Sequence, residues 1–175
     1  MRDYLIKGSS SLLFLVSFVN SLRNSDLILW KISNSIIVVA SFLCNANDYT
    51  KHYLMLDYLC IIFVCTSYLN NYKVNTFLFL YSIFEYYNKR TIENAKNVSY
   101  GLSTVAALVN TYYYCDSANF IIILTSSLSG MTIYKIRYTL LQNENQKYNL
   151  LLTYLMHVCA MNIMYVSSFT ARQKI

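Results

Sequence analysis

The sequence predicts an all-α fold, namely a polytopic transmembrane bundle of seven helices with short loops and the N-terminus inside. Three observations support it. Hydrophobic residues make up 56% of the 175-residue chain and charged residues only 13%, whereas average soluble domains carry about a quarter charged residues. The apolar residues form seven nearly continuous runs without any proline. Lys and Arg fall mainly in the gaps between these runs, which is typical of membrane loops.

The first three apolar runs cover residues 9–22, 27–46 and 53–70. The first is short and follows Arg2 and Lys7, so a signal peptide is the alternative, but Asp3 and the lack of a small-residue cleavage site disfavour it. The second has the roughly 20 residues that a bilayer crossing needs. The third is equally apolar but contains one carboxylate near its start.

The remaining runs cover residues 74–87, 98–115, 119–138 and 149–169. The fourth is short, and Glu85 is placed to pair with Lys89 one helical turn later. The fifth and sixth carry small residues four apart, which let helices approach closely in lipid. Seven crossings of 175 residues leave 25 residues each, so residues 1–175 are expected to form a single transmembrane domain.

The Lys and Arg residues predict the orientation, because they favour the cytoplasmic side. With the N-terminus inside, nine basic residues lie inside and five outside. This predicts a multi-pass protein with a cytoplasmic N-terminus and an external C-terminus. The charges are dispersed, so we expect the lipid bilayer as partner and no nucleic acid. The inner set is Arg2, Lys7, Lys51, Lys89, Arg90, Lys96, Lys135, Arg137 and Lys147, and the outer set is Arg23, Lys31, Lys73, Arg172 and Lys174.

Ionisable and polar residues inside membrane helices are candidates for function. Asp57 lies about 6 Å into the third run and His157 about 12 Å into the seventh, whereas Ser41 lies about 7.5 Å before the inner end of the second. Because successive helices alternate in direction, all three fall in the same, cytoplasmic half. They are expected to face one another, or Asp57 simply caps its helix near the headgroups.

Three short motifs carry these residues: ASFLCN contains Ser41, LDYLCIIFVCTSYL contains Asp57 and TYLMHVCAM contains His157. Together with the layout, they resemble the CREST superfamily of seven-helix membrane proteins, which includes hemolysin III, progestin/adipoQ receptor proteins and alkaline ceramidases. The resemblance implies a Ser in helix two, an Asp early in helix three, a zinc ion held by three histidines, and hydrolysis of lipid amides.

The chain departs from that pattern at the metal site. Asn45 stands at the helix-two histidine position, and Thr153 and Met161 flank His157 at four-residue spacing. His52, the only other histidine, is the candidate second ligand, and it would make an altered site with Asp57 and His157. Catalytic zinc usually has three protein ligands, so no cofactor is expected, and zinc is the metal to test.

Three functions follow from these residues. The first is a multi-pass membrane protein with an incomplete zinc–histidine set, acting in a structural or lipid-interacting role without catalysis. The second is a lipid amide hydrolase with an altered metal site, in which Ser41 and Asp57 are catalytic and His157 and His52 hold the metal. The third is a small ion or proton transporter that uses Asp57 and His157 as a relay. It is disfavoured because transporter helices are commonly broken by Gly or Pro at mid-membrane.

Overall fold

A computed structural model of the chain describes residues 2–47, 51–67, 117–142 and 148–170, together with positions 73, 76, 77, 80, 81, 83 and 84. The described residues contain helices and no strand, which confirms the all-α class for this part of the chain. The elements are α1 (Arg2–Gly8), a 3-10 helix (Ser9–Leu13), α2 (Phe14–Asn24), α3 (Ile28–Ala46), α4 (Lys51–Ser67), α5 (Ser117–Gln142) and α6 (Asn149–Thr170).

Four helical stretches are long and apolar enough to cross a membrane: Leu5–Asn24, Ile28–Ala46, Ser117–Leu140 and Asn149–Phe169. We call Leu5–Asn24 the first span, because α1, the 3-10 helix and α2 follow one another without a break. Helix α4 is also apolar but shorter, with His52–Ser67 as its apolar part. At 1.5 Å per residue, the 19-residue α3 is about 28 Å long, close to the thickness of the hydrocarbon core.

The side chains of the first span are arranged opposite to those of a water-soluble helix. Its buried residues in α2 are mainly small and polar, namely Ser17, Asn20 and Ser21, whereas Leu15, Val19 and other aliphatic residues are exposed. Small residues inside and apolar residues outside are expected where lipid replaces water, because close packing and interhelical hydrogen bonds then hold helices together. The burial pattern therefore supports a membrane environment independently of helix length.

The first span tightens into the 3-10 helix where its sequence reads Gly8 followed by three serines. Serine hydroxyls compete for backbone hydrogen bonds, and Ser9 Oγ donates to the Ile6 carbonyl at 2.6 Å. Gly8 also allows a close approach, since a Cβ atom there would lie 2.6 Å from Cε2 of Phe42 in α3. This segment thus seats the first span against α3.

Hydrogen bonds fix the direction in which the helices pack. Ser11 Oγ donates to Ser41 Oγ at 3.1 Å, and Ser17 Oγ donates to Asn34 Oδ1 at 2.8 Å, so the first span and α3 are antiparallel. Helices α3 and α4 are also antiparallel, because Ser33 and Ser67 join the start of one to the end of the other at 2.7 Å.

Helix α6 runs parallel to the first span. Phe14 and His157 place their ring centroids 5.0 Å apart, and further along both helices Asn20 Nδ2 donates to the Tyr165 carbonyl at 2.9 Å. Helix α5 is antiparallel to α6, since Arg137 Nε donates to Asn149 Oδ1 at 2.7 Å. We call the end of the bundle where the first span, α4 and α6 begin the proximal end, and the other end the distal end.

Most predicted boundaries agree with these helices, with two exceptions. The first helix begins at Arg2 instead of Ser9, because the apolar residues Leu5 and Ile6 extend the helix on the N-terminal side of Lys7. The sixth run extends to Ser117–Gln142, beyond the predicted 119–138. In the fourth run the described positions are all helical, and the fifth lies outside the described residues. The described part of the chain therefore establishes neither seven crossings nor an inside N-terminus.

Candidate functional site

A cavity of about 180 Å³ lies between the first span, α3, α4, α5 and α6. Most of its described lining is apolar, including Phe14, Ile37 and Val64, and methionines from α5 and α6 also contribute. Its polar lining residues are Ser41, Asp57, Ser126, Ser127 and His157. An apolar cavity with a few polar groups is the usual form of a ligand site in a helical bundle.

Three of these polar side chains come from different helices and lie toward the proximal end. Ser41 is five residues before the end of α3, Asp57 six residues after the start of α4, and His157 eight residues after the start of α6. These spacings correspond to depths of about 7.5, 9 and 12 Å. Because α3 runs antiparallel to α4 and α6, a residue near its end lies at the same end of the bundle as residues near the starts of α4 and α6.

Ser41 connects the cavity to a buried hydrogen-bond network. Its hydroxyl is within hydrogen-bonding reach of the Asp57 carboxyl and accepts a hydrogen bond from Ser11 Oγ at 3.1 Å. Asn45 Nδ2 donates to the Ser41 carbonyl at 2.8 Å and to Ser11 Oγ at 3.1 Å. The first span and α3 therefore hold the Ser41 side chain where it meets α4.

His157 is held differently. Its ring packs at 49° against the ring of Phe14, and the Ser10 backbone is within hydrogen-bonding reach of the imidazole. Nevertheless, its Nδ1 atom is buried and has no partner with good hydrogen-bond geometry among the described residues, and the same holds for Ser10 Oγ. Buried unsatisfied polar atoms are rare and often mark a site for water or a ligand.

The structure thus brings together three of the four residues that the sequence singled out. Ser41, Asp57 and His157 line one cavity, whereas His52 is exposed at the start of α4 and is not among its described lining residues. Their catalytic or metal-binding roles remain predictions. Phe14, Ser10 and Ser11 were missed, although the Gly8–Ser11 run inside an apolar segment was a visible signal for a special contact.

The donor set does not fit the three-histidine zinc site that the resemblance implies. The amide nitrogen of Asn45 donates hydrogen bonds to the Ser41 carbonyl and to Ser11 Oγ. The hydroxyl of Thr153 donates to the Asn149 carbonyl of its own helix. Within the described ranges no group of three His, Cys, Asp or Glu side chains is placed to hold a metal ion. The described residues therefore do not form the zinc site that the resemblance implies.

Comparison with protein-family models, with curated proteins and with solved structures found no match to this chain. The CREST resemblance accordingly depends on the predicted layout and the motif residues.

Proposed function

We propose that this chain is a multi-pass membrane protein that binds a small, mainly apolar ligand in the cavity and does not catalyse a reaction on it. The observation that carries the proposal is the cavity itself, which Ser41, Asp57 and His157 line together with mostly apolar residues. Such polar groups orient a ligand, while the apolar wall supplies most of the binding energy.

The cavity size limits the ligand. Its volume of about 180 Å³ is near the ~150 Å³ of an engineered cavity that binds benzene. It is below the roughly 300–1,000 Å³ of pockets for drug-sized ligands. We therefore propose a small lipid-derived molecule, or one end of a longer lipid, as the occupant.

We further propose seven crossings with the N-terminus in the cytoplasm, as in a CREST-like bundle. Helix α4 ends and α5 begins at the distal end. We therefore propose that the two apolar runs between them, 74–87 and 98–115, each cross the membrane once, which returns the chain to the distal end. The parallel first span and α6 then make the total odd. This arrangement also places Lys89, Arg90 and Lys96 with the other inner basic residues.

Binding is tested with a photoreactive, diazirine-bearing octanol in liposomes, followed by mass-spectrometric mapping of the adducts. We expect adducts on cavity-lining peptides of α5 and α6. Ala160→Phe, which fills the cavity, should reduce them at least fivefold, and Leu151→Phe on the exposed side of α6 should not. Labelling that is equal in both variants would contradict the proposal.

The alternative is a proton or cation relay, favoured by the presence of Asp57 and His157 in one cavity. It predicts a pH-gradient-driven flux in sealed proteoliposomes that Asp57→Asn abolishes. The hydrolase alternative predicts instead release of fatty acid from a lipid amide that depends on Ser41 and added metal. Flux or hydrolysis at the level of protein-free liposomes would favour the binding function.

A further inference from the structure

A chain of buried hydrogen bonds ends at the carboxyl group that lines the cavity. Asn45 Nδ2 donates to Ser11 Oγ at 3.1 Å, and Ser11 Oγ donates to Ser41 Oγ at 3.1 Å. The Ser41 hydroxyl proton is then directed at the Asp57 carboxyl, with which Ser41 is hydrogen-bonded. The donors of this chain all point toward Asp57, and an ionised carboxyl group can only accept hydrogen bonds.

The polar atoms that face the cavity are therefore mainly acceptors. The Ser41 proton is used on Asp57, and the Ser127 hydroxyl donates to the Ile123 carbonyl of its own helix at 2.8 Å. Asp57 is half-buried and lines the cavity. A carboxylate has about four acceptor positions, of which Ser41 occupies one. Asp57 thus keeps acceptor positions for the hydrogen-bond donors of a ligand.

The charge of the lining has one sign. Asp57 is the only formally charged side chain among the described lining residues, which include neither Lys nor Arg. Arg137 acts electrostatically on His157, but it is not among the described lining residues, and its Nε donates to Asn149 Oδ1 at 2.7 Å. A carboxylate inside a membrane bundle is costly unless a cation pairs with it. The described lining leaves that cation to be supplied by the ligand.

An ammonium group meets both requirements of this lining. It carries a positive charge and three donors without any acceptor, and hydrogen bonds between charged groups are about twice as strong as those between neutral groups. A hydroxyl group carries no charge and has a single donor. A carboxylate or phosphate head group has no donor when ionised and would be repelled by Asp57.

We infer that the cavity binds the primary-ammonium end of an apolar amine, with the ammonium group at Asp57, and prefers it to alcohols and anionic amphiphiles of the same length. The inference rests on the proposed binding function and specifies its ligand class. The alkyl part of the amine lies toward Val64 and Met164, which line the cavity nearer the distal end.

The experiment compares three diazirine probes of equal chain length, an octylamine, an octanol and an octanoate, in phosphatidylcholine liposomes that contain the full chain. At about pH 7 the octylamine is protonated, since alkylamines resemble the Lys side chain, whose pKa is about 10.4. Yields of adducts on cavity-lining peptides are normalised to the amount of each probe in the membrane. For the unmodified protein we expect the octylamine yield to exceed the octanol yield at least about fivefold, because only the amine pairs with the buried charge, and the octanoate yield to be the lowest.

Variants at the two described aspartates outside the N-terminal turn test the origin of this preference. Asp57→Asn removes the charge and keeps a polar side chain of the same size, so it should lower the octylamine-to-octanol ratio at least about threefold. Asp57→Glu keeps the carboxyl group and should keep octylamine ahead of octanol. The matched control is Asp26→Asn, which removes the same charge from an exposed position that is not among the described lining residues, and it should leave the ratio unchanged.

The outcomes separate the head-group inference from the binding function. Octylamine labelling that falls short of this excess over octanol in the unmodified protein would overturn the inference and leave the binding function standing, and that comparison does not depend on the folding of a variant. The inference also fails if Asp57→Asn leaves the ratio unchanged, or if Asp26→Asn lowers it as much. Cavity labelling by none of the three probes would overturn both.

Discussion

Single residues in this bundle act mainly by letting helices approach. Gly8 is the clearest case, because an added Cβ would meet the Phe42 ring at 2.6, 2.7 and 3.0 Å. Gly130 in α5 differs, since its Cβ would lie 3.4 Å from the Cβ of Cys159, an ordinary contact distance. We therefore expect Gly→Ala substitutions at these two positions to change the stability of the bundle in opposite directions.

Replacing Gly with Ala inside a helix normally favours the helix by up to ~1 kcal/mol. We expect Gly130→Ala to keep or raise the thermal midpoint in detergent, and Gly8→Ala to lower it by a few degrees because Phe42 must move. Combining Gly8→Ala with Phe42→Leu should recover most of the loss. Equal midpoints for the two single variants would show that the close approach at Gly8 is unimportant.

Buried serines contribute through interhelical hydrogen bonds. Ser17→Ala leaves Asn34 Oδ1 without the donor that reaches it from the first span at 2.8 Å, while Asn34 Nδ2 keeps its bond to the Trp30 carbonyl. Pairs of this kind in membranes average about 0.6 kcal/mol with a maximum near 1.7. We expect a loss of about 0.5–1.5 kcal/mol in the free energy of unfolding.

The matched control is Ser35→Ala, whose hydroxyl bonds the Ile32 carbonyl of its own helix on the exposed side. It should change the free energy of unfolding by less than about 0.5 kcal/mol, as surface substitutions usually do. A full cycle of Ser17→Ala and Asn34→Ala reports the coupling directly. Additive effects of the two substitutions would mean that this hydrogen bond does not hold the helices together.

At the scale of elements, the packing of α5 on α6 offers a covalent test. The Cβ–Cβ separation of 3.4 Å between position 130 and Cys159 is just below the 3.5–4.5 Å seen in disulfides. Gly130→Cys is therefore expected to form a disulfide with the native Cys159 under mild oxidation. After cleavage at Lys147 the two fragments should migrate together without reductant and separate with it.

The control for this cross-link is Gly130→Cys combined with Cys159→Ser, which should give separate fragments under both conditions. Cross-linking that persists in the control would implicate another of the five cysteines. Complete absence of the cross-link in the single variant would contradict the described packing of α5 against α6.

Sequence reasoning found the helices that the structure describes and the depth of the key residues, but not their neighbours. Ser41, Asp57 and His157 were placed correctly in one half because the helical rise is constant and directions alternate. The contacts of Ser11 and Ser17 with α3 were missed, since pairing depends on how two helices rotate against each other. His52 was grouped with Asp57 from proximity in sequence, yet five residues along a helix turn it away toward the exposed side.

At the scale of the whole molecule, the orientation depends on residues 68–116. With Lys89, Arg90 and Lys96 left out, the helix directions imply six basic residues at the proximal end and five at the distal end: Arg2, Lys7, Lys51, Lys135, Arg137 and Lys147 against Arg23, Lys31, Lys73, Arg172 and Lys174. Two crossings in 68–116 would add three basic residues to the proximal end and make it nine against five. No crossing there would make it six against eight, and the positive-inside rule would then reverse the orientation.

Reporter fusions at both termini and insertions at positions 48, 93 and 144 separate these arrangements. With seven crossings and the N-terminus inside, positions 48, 93 and 144 report the cytoplasm together with the N-terminus, and the C-terminus reports the outside. The sequon at Asn97 then stays unglycosylated in a eukaryotic host, because Lys89, Arg90 and Lys96 keep that loop inside. If position 93 instead reports the side of the C-terminus, the bundle has five crossings. A C-terminus on the same side as the N-terminus would contradict the parallel packing of the first span and α6, on which every assignment of ends depends.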